Sequence, residues 1–375
     1  MRTLEFTGGR TPPESFPIQG LIDATKRVLE RKGKQLVNYP SQFDLHGELR
    51  QIASSRFEHR EGIPLPTENI IITTGSTQAF TLILQTLTEP GDTIIAEELT
   101  YMGALKWFQH FKLNVVGVPI DIVDGMDVDA LEHTLKDLAA KNIKPKFIYI
   151  IANHQNPTGA ILTLPRRKQI VKLAAKYDVL ILDDDCYGDV DLEIEHVPPS
   201  LYTLGDPQSI IFTGSFSKIL APGVRLGYLC APNRFLDQIA ELKHRTQDAG
   251  TSGLSSFIVA EYFRDNLWTH ITRHNAIIKE KRDTTLKALQ KYLGDCATWS
   301  HPRGGLFVWV KLPETTDMQK LEQLAKQSGV GYSSGRDFHV HSKDIKYLRL
   351  SYAHMSHDEI NEGIDLLAKC IRDAK

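Results

Sequence analysis

The sequence predicts an α/β protein in two parts: a mostly parallel sheet covered by helices, then a smaller α+β domain. Two observations carry this. Between about residues 70 and 231, short apolar, β-branched runs alternate with stretches of helical period, the pattern of βαβ units. From about Pro232 the alternation stops, and a long helical stretch gives way to strands and helices of another texture. No fixed-period repeat or low-complexity segment competes with this reading.

The elements follow in order. The run IIITT ends at Gly75, which opens a helical stretch over 78–87. Further strands are expected at 92–96, 115–120, 147–151, 179–182, 209–213 and 226–230. Leu131, Leu135 and Leu138 share one helix face between them, as do Ile170, Leu173 and Ala174. A long helical region runs from 232 to 293, interrupted at 250–253. Then GGLFVWVKL reads as a strand, 318–327 as a helix and YLRLSYA as a strand. Ile360, Ile364, Leu367 and Ile371 line a final amphipathic helix. The boundary is expected near 245–260. With an N-terminal arm set apart (1–38), the chain divides into a large domain (39–250) and a small domain (251–375).

The bulk properties exclude several classes. A chain of 375 residues is long enough for two domains. Its net charge of -2 gives no basic field for nucleic acid. Apolar runs such as 179–182 are far too short to span a bilayer, and MRTLEFTGGR lacks the layout of an export signal. Cysteines 186, 230, 296 and 370 form no CxxC pair, so a reduced, cytoplasmic setting is expected. There is no GxxxxGK[ST], HExxH or GxSxG motif.

Four short segments carry chemistry. Ser215-Phe216-Ser217-Lys218, with Arg225 seven residues after the lysine, offers an amine beside an anion site. Taken alone it is also what a solvated loop lysine looks like. ILDDDCY (181–187) ends a strand in three aspartates, which a cation, a metal or a solvated turn would explain. QNPTG (155–159) is a turn in which Asn156 offers both a donor and an acceptor. Thr74-Gly75-Ser76-Thr77-Gln78 is a strand-to-helix turn suited to a phosphate, or simply an N-cap.

Together the four resemble the fold-type I pyridoxal-phosphate aminotransferases of class I/II. The subgroup is that of the 2-aminoadipate and kynurenine aminotransferases and the aminotransferase-like domains of MocR-type regulators. FTGGRTPPESFP, NYPSQFDLHGELRQIA (38–53), HPRGGLFVWVKLP (301–313) and YLRLSYA (347–353) extend the likeness over nearly the whole chain. The resemblance implies a seven-stranded, mostly parallel sheet in the large domain and pyridoxal 5'-phosphate as cofactor. It implies that Lys218 carries the cofactor as a Schiff base and shuttles the substrate proton. Asp184, three residues before Tyr187, would pair with the ring nitrogen. Tyr187 and Asn156 would bond the ring oxygen, and Tyr101 would stack on the ring. Ser76, Thr77, Gln78, Ser215, Ser217 and Arg225 would surround the phosphate. Tyr39 would reach it from a neighbouring subunit, which implies a homodimer. Arg349 would clamp the substrate carboxylate beside Asn156 and Gly9. No metal is implied.

The chain departs from the family pattern at some positions. Arg10 follows Gly8-Gly9 where an apolar residue is usual, so it is expected to select a side chain, an acidic one for instance, unless it is only a solvated loop residue. Ala152, His154, Leu99 and Ser334 also depart from the usual residues. The expected activity is transfer of an amino group from an aromatic, branched-chain or 2-aminoadipate donor to a 2-oxo acid, 2-oxoglutarate by family habit. Another reaction of the same cofactor, such as lyase, cyclase or racemase chemistry, is the alternative. A regulator's effector domain would follow a helix-turn-helix module; about seven residues precede Gly8, and an enzyme is expected instead. A plain nucleotide-binding fold lacks its GxGxxG.

Overall fold

The computed structural model describes residues 3–38, 46–193, 197–247 and 250–375. Tyr39 lies outside the described residues.

A seven-stranded sheet forms the centre of the large part. Its spatial order is Ile70–Thr73, Gly227–Cys230, Ile210–Ser215, Leu180–Asp185, Phe147–Ile150, Thr93–Glu97 and Asn114–Val118. Every pairing is parallel except those of Gly227–Cys230, which runs antiparallel to both neighbours. The central strands are buried along their length, as continuous Ile, Leu, Val and Phe runs require when helices cover both faces. Leu131, Leu135 and Leu138 face inward from the helix Val128–Ala140, and Ile170, Leu173 and Ala174 from Leu164–Tyr177. The side chain of Asp127 caps the first of these by accepting from the N–H groups of Asp129 and Ala130.

The small part has a four-stranded sheet in the order Thr298–Trp299, Phe307–Lys311, Tyr347–Ser351 and Ser333–Ser334, all antiparallel. The helices Met318–Ser328 and His357–Asp373 belong to it. The latter starts in a capping box of Ser356 and Glu359 and buries Ile360, Ile364, Leu367 and Ile371.

One pairing was not anticipated from the sequence, and one expected helix turned out to tie the molecule together. The first strand, Leu4–Glu5, pairs in parallel with Val330–Gly331, so the chain begins on the small part before crossing to the site. The helix Gly253–Leu293 is continuous for 41 residues, roughly 60 Å at 1.5 Å per residue. It packs against the N-terminal helix Ile18–Lys32 and against the C-terminal helix, so one element ties the two parts together. Among the described residues no helix is long and apolar enough to cross a membrane.

Candidate active site

Strands that end at one edge of a parallel sheet deliver their following loops to one crevice. Here the edge gathers Ser76 and Thr77, Tyr101, Asn156, Asp184 to Tyr187, and Ser215 to Lys218 around a cavity of about 360 Å³. Phe307 and Arg349 close it from the small part, and Thr7 and Gly9 from the N-terminal segment.

The three aspartates separate by strand alternation. Asp184 lines the cavity, whereas Asp185 bonds Arg60 and Asn153, and Asp183 accepts from the N–H of Tyr202. Asp184 is surrounded by donors: Tyr149 Oη at 2.7 Å, Cys186 Sγ at 3.1 Å and Thr213 Oγ1 at 3.2 Å. Burial still raises its pKa against the pull of these donors. A carboxylate held this way suits a protonated ring nitrogen.

Lys218 Nζ donates to the carbonyl of Gly9 at 2.7 Å and lies 5.8 Å from the centre of the Tyr187 ring. Burial lowers its pKa, and the cations Arg349 and Arg225 push the same way. A lysine that loses its proton more easily is a better nucleophile. Gly9 is required at its position: a Cβ there would lie 2.9 Å from Phe307 Cζ and 3.2 Å from Lys218 Nζ. The backbone of the lysine is pinned from the long helix. His274 Nε2 donates to the Lys218 carbonyl at 2.9 Å and His270 Nε2 to the Ile219 carbonyl at 2.7 Å. His274 Nδ1 lies 2.9 Å from Ser15 Oγ, and burial holds the ring down to about 4, so it stays neutral.

Arg349 is buried between two rings, 4.0 Å from Phe307 and 4.8 Å from Phe338. Its guanidinium donates to Asn156 Oδ1 at 2.9 Å, to Ser333 Oγ at 3.3 Å and to the Thr7 carbonyl. Its buried Nε has no hydrogen-bond partner among the described residues. Burial pulls the group down to about 10, so it remains a cation at neutral pH. Asn156 Nδ2 reaches Tyr187 Oη at 3.5 Å.

At the other end, Gly75 (φ +74°) opens the helix Gly75–Leu87 and lets Arg225 approach, since a Cβ would lie 2.5 Å from its Nη2. Arg225 donates to the carbonyls of Thr74 and Pro222, each at 3.2 Å. With Ser76, Thr77, Ser215 and Ser217 it lines an anion-binding corner at a helix N-terminus. Tyr101 stands over Gly103, where a Cβ would meet its ring at 2.4 Å.

Two expected residues fall outside the lining. Gln78 turns its side-chain oxygen back onto the Thr74 N–H at 2.6 Å, a helix-start contact. Arg10 is exposed, its side chain folded along Gly8. Several functional neighbours carried no sequence signal: Tyr149, Thr213 and Cys186 around Asp184, and Lys106 in the lining. Arg56, buried below the site, also gave none; it pairs with Asp189 and donates to the Ser215 carbonyl at 3.2 Å. Tyr149 and Thr213 lie on strands beside Asp184, and the register Asp184–Thr213 exists only once the sheet is formed. Among the described residues no group of three or more His, Cys, Asp or Glu side chains is placed to hold a metal.

The residues present therefore fit a phosphorylated pyridine aldehyde: an amine, an acceptor for a ring N–H, an anion corner and a separate guanidinium. Comparison with known proteins gives the same answer. Residues 11–367 match the family described as aminotransferase class I and II. The chain is 35% identical to aromatic-amino-acid aminotransferase 1 of Thermococcus litoralis, over 99% of this chain and 88% of that protein. The solved multiple substrate aminotransferase of Thermococcus profundus superposes with a TM-score of 0.92 at 31% identity, covering 99% and 92%. The α-aminoadipate aminotransferase of Thermus thermophilus, solved with N-(5'-phosphopyridoxyl)-L-leucine, gives 0.90 at 30% identity, covering 99% and 92%.

Proposed function

This chain belongs to the class I and II aminotransferases, and from that membership we propose the roles of its cavity residues and the substrates it takes. It is an enzyme dependent on pyridoxal 5'-phosphate. When bound, that cofactor supplies an electron sink for the charge left by a departing α-proton.

Lys218 would hold the cofactor through Nζ and, once released from it, would take and return the proton of the substrate Cα. Gly9 and the pinned backbone fix the reach of that amine. Asp184 keeps a proton on the ring nitrogen, with Tyr149, Thr213 and Cys186 orienting its oxygens. Tyr187 and Asn156 hold the ring oxygen, and Tyr101 covers a ring face. Ser76, Thr77, Ser215, Ser217 and Arg225 hold the phosphate. Arg349 orients the α-carboxylate, so that the Cα–H bond faces the amine. The observation that carries this reading is that Lys218, Asp184 and Arg349 line one cavity although they come from distant parts of the chain.

The donor is an aromatic, branched-chain or 2-aminoadipate type amino acid, and the acceptor is 2-oxoglutarate. The names of the relatives support aromatic and 2-aminoadipate donors, and the rings and apolar groups of Phe307, Tyr101, Met102 and Ile151 suit an aromatic or branched side chain. The test is an absorbance scan of the purified protein with a panel of amino acids. Conversion to the amine form of the cofactor by a donor, reversed by 2-oxoglutarate, is expected. Release of ammonia without that reversal would replace transamination by elimination.

A homodimer is proposed as well. Ile18, Ile22 and Leu29 share one face of the helix Ile18–Lys32 and are 65%, 54% and 51% exposed. That apolar stripe suits a second copy of the chain. A cytoplasmic location agrees with the free state of all four cysteines.

A further inference from the structure

Among the described residues, four cationic side chains line the cavity, Lys106, Lys218, Arg225 and Arg349, against one carboxylate, Asp184. Three of the cations have a proposed task. Arg225 faces the phosphate, Arg349 the α-carboxylate, and Lys218 is engaged with the cofactor. Asp184 is matched by the ring nitrogen. Lys106 is left over.

Lys106 stands on the helix Met102–His110, which starts directly after Tyr101. Its side chain is exposed and makes no hydrogen bond or ion pair with any described residue. It also lines an adjoining groove of about 670 Å³, between this helix and residues 337–342 of the small part. The ammonium therefore stands where the two hollows meet. Arg10, the other candidate for a distal anion, is outside the lining. An unmatched cation at the mouth of a cavity with apolar and aromatic walls attracts a further anion.

We propose that Lys106 binds the distal carboxylate of a dicarboxylic substrate, the five-carbon 2-oxo acid acceptor in particular. The inference rests on 2-oxoglutarate being the acceptor. It assigns selection between dicarboxylic and monocarboxylic substrates to this residue. With an aromatic or branched side chain in place, the flexible lysine swings back to solvent and leaves its methylenes against the ligand. One cavity thereby accepts a hydrophobic donor and an acidic acceptor in turn.

The test uses holoenzyme, Lys106→Gln and Lys106→Arg. Calorimetry compares glutarate with pentanoate, ligands of equal length that differ in the second carboxylate. Wild type is expected to bind glutarate the more tightly, and Lys106→Gln to lose roughly tenfold of that preference. Lys106→Arg is expected to keep it. In turnover, the ratio of kcat/KM for 2-oxoglutarate to that for a monocarboxylic 2-oxo acid falls in Lys106→Gln, and the wild-type ratio falls with added salt. Equal losses for both ligands, or a glutarate affinity unchanged within twofold, would overturn the proposal. So would weakened affinity of the apo-enzyme for pyridoxal phosphate in Lys106→Gln, which would place the lysine on the phosphate. Failure of wild type to use 2-oxoglutarate at all would reject the acceptor, while the glutarate comparison still decides the role of Lys106.

Discussion

Replacing Arg349 by lysine keeps the charge and removes the fork. The guanidinium lies between the Phe307 and Phe338 rings at 4.0 and 4.8 Å and is aimed by Asn156 and Ser333. An ammonium has no plane to stack and satisfies one carboxylate oxygen where the fork satisfies two. The loss is one charge-assisted hydrogen bond, about 1.5–3 kcal/mol, with about 0.5–1 kcal/mol of ring stacking. A total of about 2–4 kcal/mol corresponds to a fall in kcat/KM of about 30- to 1000-fold. Donor and acceptor both carry a carboxylate next to the reacting carbon, so both half-reactions should fall together. The assay is single-turnover spectroscopy of each half-reaction, with an amine lacking the carboxylate as a control. That control should be slow in wild type and no slower in Arg349→Lys. If the variant stays within threefold of wild type for amino acids, or slows the decarboxylated amine equally, Arg349 is not the carboxylate clamp.

Other outcomes follow from the same geometry. Lys218→Ala should lose both turnover and the absorbance of the covalently held cofactor while its circular dichroism is unchanged; a variant retaining either would reject the linkage. Gly75→Ala sets a side chain at φ +74° and 2.5 Å from Arg225 Nη2, so the movable guanidinium must yield. The dissociation constant for pyridoxal phosphate should rise by roughly tenfold with about 1 kcal/mol of stability lost, and unchanged affinity would take Arg225 off the phosphate. Burial raises Glu97 from 4.5 to about 8, so the folded protein binds the extra proton between those values. Stability should therefore fall as pH rises from about 4.5 through about 8, and Glu97→Gln should flatten that slope in urea titrations. An identical slope in both proteins would argue against it. Ile22→Lys should shift sedimentation toward the monomer if the helix Ile18–Lys32 faces a second copy, and no shift would move the interface elsewhere.

Much of the site was legible because its chemistry is written in local segments. The family resemblance picks Asp184 from three aspartates by its distance to Tyr187, and strand alternation places it, of the three, on the cavity side. The alternating runs in the large part, and the break at 250–253, became the elements they suggested. What escaped depends on pairing between distant segments. Thr213 reaches Asp184 only through strand register, and Tyr149 through the neighbouring strand. Leu4–Glu5 pairs with Val330–Gly331 of the small part for reasons no local pattern carries. Gln78 is hard to place from the sequence, because a helix-start glutamine and a phosphate neighbour look alike until the side chain is seen folded back on Thr74. Lys106 gave no motif at all; its position matters only because the helix after Tyr101 borders two hollows.

The paired histidines of the long helix bear on how a catalytic arm can travel. An amine that must first hold a cofactor and then work free of it needs a moving tip on a still shoulder. His270 and His274 grip two consecutive carbonyls, so the swing is confined to the four methylenes of Lys218. Because His274 also meets Ser15, the strand of chain bringing Gly9 to the amine is anchored to the same post. The arm and the stop it rests against thus share one mounting, and a displacement of the long helix would carry both without changing the distance between them.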